Sequence, residues 1–146
     1  MPSERRLALL ALAILSELPD GWRVRRCRRR WGGDFGGSGL CSSDAKLIEI
    51  PWPPTHVETL AVIAHEVAHA LLHDEETRGH VMEYEAELWS FRWLRARGLR
   101  VPRFYQSAAQ RNVSARIRED MKAGVKIRRT IRRWAQRRGA GRSPCV

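Results

Sequence analysis

The run His65-Glu66-Val67-Ala68-His69 carries the residues best suited to chemistry. At 3.6 residues per helical turn, side chains four apart share a face, so His65 and His69 can grip one metal ion. Glu66 then stands beside a zinc-bound water and can be activating it as a general base. The plain alternative is a buried helix that happens to hold two histidines and a glutamate. Its surroundings, Leu60 to Leu72, are strongly apolar, and buried Glu and His need partners. A metal is therefore the better reading, with one Zn2+ per chain and hydrolysis of a peptide bond as the expected chemistry.

A catalytic zinc takes three protein ligands and keeps a position open. His73, His80, Glu83 and Glu85 compete for the third place. His73 continues the face of His65, but one straight helix cannot wrap three ligands round one ion, so it is expected behind the ligands or at the helix end. Glu83 and Glu87 are four apart; a second helix crossing the first would bring Glu83 to the metal and Glu87 to the free N–H of a ligand histidine. Glu85 points roughly the other way and reads as surface. The residues alone leave Glu83 and His80 both open. For an oxyanion, the available donors are His73, His80, Tyr84 and Tyr105, with nothing in the spacing to rank them.

His65-Glu66-Val67-Ala68-His69-Ala70-Leu71-Leu72-His73, followed by Glu83-Tyr84-Glu85-Ala86-Glu87 and Phe91, resembles the ImmA/IrrE family of zinc metallopeptidases, H-E-x-x-H zincins of the gluzincin type. The resemblance covers about residues 45–95. It implies a small α+β zincin fold, His65, His69 and Glu83 as ligands, and Glu66 as general base. It also implies a protein substrate, in some members a DNA-bound regulator, and a phage or mobile-element origin, hence the host cytoplasm. Gly79-His80-Val81-Met82-Glu83-Tyr84 is more faintly similar to a segment of SprT-like peptidases, and that likeness implies His80 as third ligand instead.

The elements that must position these residues follow from local patterns. Residues 4–18 read as a helix, apolar nearly all round and stopped by Pro19-Asp20-Gly21, expected to pack behind a sheet. Residues 22–31 read as an edge strand with Arg23, Arg25 and Arg26 outward. The run Gly32 to Gly39 reads as a mobile hairpin connection. Lys46–Ile50 is a second strand; the resemblance to H-E-x-x-H zinc peptidases implies that it lies at the sheet edge beside the active helix, where an extended substrate would pair with it. Thr55 and Glu58 suggest a capping box, starting a helix that ends near His73. A further helix is expected from about Val81 to Arg97, capped by Gly98. From Tyr105, the recurrence of Val113, Ile117 and Met121, then Ile127, Ile131 and Trp134 after Gly124, predicts two amphipathic helices. Gly139 to Pro144 is expected to be disordered.

With 146 residues, the chain is expected to hold a zincin-like domain at 1–102: a short sheet, the active-site helix and its partner. A basic helical region follows at 103–146. Residues 1–102 balance 14 Lys/Arg against 14 Asp/Glu, whereas 103–146 hold 13 basic and 2 acidic residues, so the whole excess of +11 lies there. That imbalance suggests DNA or RNA as a partner, through Arg128, Arg129, Arg132, Arg133 and Trp134. A basic nucleic-acid-binding protein with a structural or vestigial metal site is accordingly the alternative function. Cys27, Cys41 and Cys145 form no C-x-x-C pair, which argues against a disulfide framework or a zinc ribbon. Arg5-Arg6 before the apolar run Leu7–Leu15 mimics a signal peptide, but no small-x-small site follows, so an N-terminal helix of a cytoplasmic protein is expected. No apolar run is long enough to span a bilayer, and no membrane partner is expected.

Overall fold

The computed structural model describes residues 1–28, 39–74 and 76–137. It is a small α+β structure of five helices and one three-stranded sheet, in the order α1 (Glu4–Leu15), β1 (Arg23–Cys27), β2 (Leu40–Ser42), β3 (Leu47–Pro51), α2 (Val57–Leu72), α3 (Gly79–Ala96), α4 (Arg103–Lys122) and α5 (Arg129–Gln136). Among the described residues, no helix is long and apolar enough to cross a membrane.

The sheet order is β1-β3-β2, with β1 parallel and β2 antiparallel to β3. Alternation on β3 sends Ile48 and Ile50 into the core and leaves Leu47 and Glu49 half-buried. One expectation needs correcting here. The Lys46–Ile50 strand is central rather than an edge, because β1 and β2 pair with its two sides. The Gly32–Gly39 segment, expected as a mobile hairpin connection, lies outside the described residues except for Gly39. β1 is an edge strand as expected, and its Arg25 meets Glu49 across the register at 2.6 Å.

α2 is the element the others gather on. Its residues Val57 to Ala61 and Ile63 to His69 are buried apart from Glu58, because α1, α3 and the sheet cover different faces of it. The expected capping box does not form. His56 is the N-cap, without a side-chain hydrogen bond, while Thr55 Oγ1 contacts His56 Nδ1 at 2.9 Å. The first turn thus starts at Val57, and Glu58 falls one position short of the reciprocal bond. α1 buries one stripe, Leu7, Ala11 and Ile14, against α2 rather than behind the sheet, and leaves Leu9 and Leu12 exposed.

α3 ends as its glycine predicts. Gly98 takes φ +72, its N–H donates to the Arg95 carbonyl, and the Leu99 N–H donates to the Leu94 carbonyl, with Leu94 and Leu99 both buried. Gly124 (φ +77) repeats the device after α4, where the Val125 N–H reaches the Asp120 carbonyl. The basic region is helical as expected, and it packs along the rest of the chain. Tyr105 joins the main core, while Val113, Ile117 and Ile131 form a second cluster with Val81 of α3, edged by Tyr84 and Trp134. Residues 139–144, expected to be disordered, lie outside the described residues.

Candidate metal centre

α2 and α3 face each other across the site. Helical spacing puts His65 and His69 one turn apart on α2, and the crossing of α3 presents Glu83 to both. His65 Nε2 lies 2.9 Å from His69 Nε2 and 3.2 Å from Glu83 Oε2, and His69 Nε2 lies 3.6 Å from Glu83 Oε1. Two ligands held at about 2.0–2.1 Å in a tetrahedron stand about 3.3 Å apart. The three separations straddle that value, with His65 and His69 facing different oxygens of the Glu83 carboxylate, so the donor set could hold one zinc ion. Among the described residues, this trio is the group of His, Cys, Asp or Glu that could hold a metal.

The neighbours of the trio are also specific. Glu87, one turn beyond Glu83, places Oε1 at 3.2 Å from His65 Nδ1, on the far side of the ring from the trio. The contact is ionic, without a well-directed hydrogen bond. His73 Nδ1 lies 2.9 Å from His69 Nδ1, the ring nitrogen of His69 that does not face the trio. Glu85 keeps 40% of its side chain exposed, in line with the surface expectation, and its Oε2 lies 3.3 Å from His73 Nε2. His80, the alternative third ligand, is turned elsewhere. Asp120 Oδ2 of α4 accepts from the His80 backbone N–H at 3.0 Å and contacts its ring Nδ1, which holds the imidazole away from the trio.

Packing these groups together in a dry place shifts their protonation. Burial alone would lower the His65 pKa, but the Glu87 and Glu83 carboxylates outweigh it and hold it well above the ordinary histidine value. His69 is pushed down to about 3, first by burial and then by the charge on His65. Burial pushes Glu66 up to about 7; His65 opposes that rise, while Glu83 and Glu87 add to it. A carboxylate titrating near neutrality is suited to exchange protons at physiological pH. Tyr105 of α4 is buried in the field of Glu87, Glu66 and Glu83, and its phenol stays protonated well above its usual range. Of the other donors considered, Tyr84 instead packs edge-on against Trp134, with ring centroids 5.4 Å apart. Arg128, Arg129, Arg132 and Arg133 lie on α5 and its N-cap, exposed to solvent.

Three residues near the centre escaped sequence reasoning. Asn112 of α4 donates from Nδ2 to Glu83 Oε2 at 3.1 Å. Gly39 lies so close to Glu66 that a Cβ there would stand 2.6 Å from its Cγ. Cys41 is a free, half-buried thiol pushed up to about 12 by burial and then by Glu66. Asn112 sits in a stretch dominated by arginines, and Gly39 is the last of many glycines, so neither had a spacing to mark it. Comparison with protein-family models, curated proteins and solved structures finds no match to this chain.

Proposed function

We propose that the chain is a zinc-dependent metallopeptidase that hydrolyses peptide bonds of a protein substrate. The observation that carries this reading is the spacing of His65 Nε2, His69 Nε2 and the Glu83 carboxylate, which suits one tetrahedral ion. The resemblance of the same residues to ImmA/IrrE-like peptidases supports it. In this reading His65, His69 and Glu83 hold the ion, and Glu87 holds His65 from behind. The zinc, when bound, supplies a Lewis acid that polarises the scissile carbonyl and acidifies a water. Glu66 accepts the proton of the attacking water and passes it to the departing amine, so that the amine leaves neutral.

The substrate would lie along β2. β3 has both sides paired, whereas β2 has no second partner strand among the described residues, and Gly39 leads into it directly from the Glu66 carboxylate. An extended peptide adding to that edge would bring its backbone past the general base.

Metal analysis of protein purified without chelators tests the reading. Wild type should carry about one zinc per chain, Glu83→Gln should lose most of it, and Glu66→Gln should keep it. Labelling of new amino termini in a host lysate should then reveal cleavage by wild type and none by Glu66→Gln. Wild-type protein that neither carries zinc nor takes it up would sink the proposal.

A further inference from the structure

We infer that the outer face of α5 is a docking surface for the phosphate backbone of duplex DNA. This inference stands apart from the peptidase reading and rests on how the helix spends its residues.

Ile131, Trp134 and Ala135 point to one side of α5 and pack on the second core cluster. At 100° per residue the remaining positions, Arg128, Arg132, Gln136, Arg129, Arg133, Arg137 and Thr130, sweep an arc of about 200°, and all seven are exposed. Five of the seven are guanidinium groups. The stretch 103–137 offers just two acids to neutralise them, and both are committed elsewhere, Glu119 to Arg116 at 2.9 Å and Asp120 to His80. None of the five arginines has an acidic partner among the described residues; Arg132 merely touches Met121 Sδ at 3.8 Å. A short helix packed on the second cluster therefore presents unpaired, fork-shaped donors suited to phosphate oxygens.

The same bookkeeping of side chains selects the partner. An interfacial membrane helix needs an apolar face to bury in lipid, and α5 has already buried its own in the protein. Single strands are held by stacking bases on aromatic rings, but Trp134, the aromatic residue of α5, is half-buried against Tyr84. The outer face of α5 can lie along the major groove of B-form DNA, about 12 Å wide, with its arginines on the flanking phosphates, whereas the deep narrow groove of duplex RNA excludes a helix.

Fluorescence anisotropy with the full chain and a labelled duplex tests it across about 50 to 200 mM salt. Five phosphate contacts predict a slope of log K against log salt of about −4.5, hence a loss of about 500-fold over that range. Replacing Arg128, Arg129, Arg132 and Arg133 together by Gln should flatten the slope by about 3.6 and weaken binding at low salt, with the far-ultraviolet circular dichroism unchanged because all four are exposed. The corresponding four-lysine variant should keep the slope. The inference is overturned if duplex DNA does not bind at low salt, if the glutamine variant binds with the same slope, or if the lysine variant loses it. It is equally overturned if single strands, duplex RNA or phosphatidylserine vesicles bind more tightly than duplex DNA.

Discussion

Asn112 of α4 donates from Nδ2 to Glu83 Oε2 at 3.1 Å, on the same oxygen that faces His65 Nε2 at 3.2 Å. The helix read from its sequence as part of a basic extension thus reaches the trio and hydrogen-bonds the Glu83 carboxylate, the third ligand of the proposed site. Groups that hold a ligand in this way are worth about 10–100-fold in metal affinity, and the exposure of Asn112 argues for the lower end. Asn112→Leu should therefore weaken zinc binding about tenfold without unfolding the chain. Competition with a chromophoric chelator measures the affinity directly. Unchanged affinity in a folded Asn112→Leu protein would show that Glu83 needs no such support.

Gly39 makes a separate demand on Glu66, the proposed general base. A methyl group at this position would stand 2.6 Å from Glu66 Cγ and 2.7 Å from its Cδ, so the glutamate would have to leave its present rotamer. A displacement of about 1 Å in a reacting group can cost about 100-fold in rate. Gly39→Ala should accordingly keep its zinc, since the ligands are untouched, yet lose cleavage by between about tenfold and 100-fold. Zinc content and lysate cleavage on the same preparation separate the two effects. If Gly39→Ala cleaved normally, Glu66 would not be the group that needs this space.

The charge pattern of the trio predicts a proton count. His65 is held well above its ordinary pKa by Glu87 and Glu83 against the effect of burial, so near pH 7 it carries a proton in the metal-free protein. A metal takes the neutral imidazole, so binding expels that proton. Apparent zinc affinity should then rise about tenfold per pH unit below the raised pKa and level off above it. His69, pushed down to about 3 by burial and by His65, has no proton to give. Glu66, pushed up to about 7 chiefly by burial, adds a fraction that Glu66→Gln removes. Glu87→Gln takes away the largest charge holding His65 up, so fewer protons should be released at pH 7. Calorimetric titration in buffers of different ionisation heat counts them, and equal counts in wild type and Glu87→Gln would contradict the assignment.

The parts of this picture legible in the sequence are those written in local spacing. His65, Glu66 and His69 at helical intervals, Glu83 and Glu87 one turn apart, and Gly98 and Gly124 as helix stops each depend on a few neighbouring residues. What was hidden depends on tertiary choice. The strand at Leu47–Pro51 looks like any short strand, and it becomes central because β1 runs parallel to it on one side while β2 returns on the other. The T-x-x-E pattern at Thr55 yields to a first turn begun two residues later at Val57. His80 and Glu83 are both plausible ligands by composition; an aspartate forty residues away binds His80 and turns it from the trio, which no local pattern announces.

That capture gives the last prediction. Asp120 Oδ2 takes the His80 backbone N–H at 3.0 Å and its ring Nδ1, pinning the start of α3 to the end of α4. Burial alone would raise the Asp120 carboxyl, but the hydrogen bonds from His80 hold it below the usual aspartate range. A carboxyl depressed by folding stabilises above its unfolded pKa, near 3.8, and that contribution is lost as pH falls through the folded value. Hydrogen bonds to a charged group contribute about 1.5–3 kcal/mol, and partial solvent access brings this pair towards about 1–2 kcal/mol. Asp120→Asn should lower the unfolding free energy read from urea titration by that amount at pH 7, and the difference from wild type should vanish in acid. His80→Ala should also be less stable, because Asp120 loses its ring partner, and it should still bind one zinc per chain. A folded His80→Ala protein without zinc would return His80 to the ligand set and remove Glu83 from its place as third ligand.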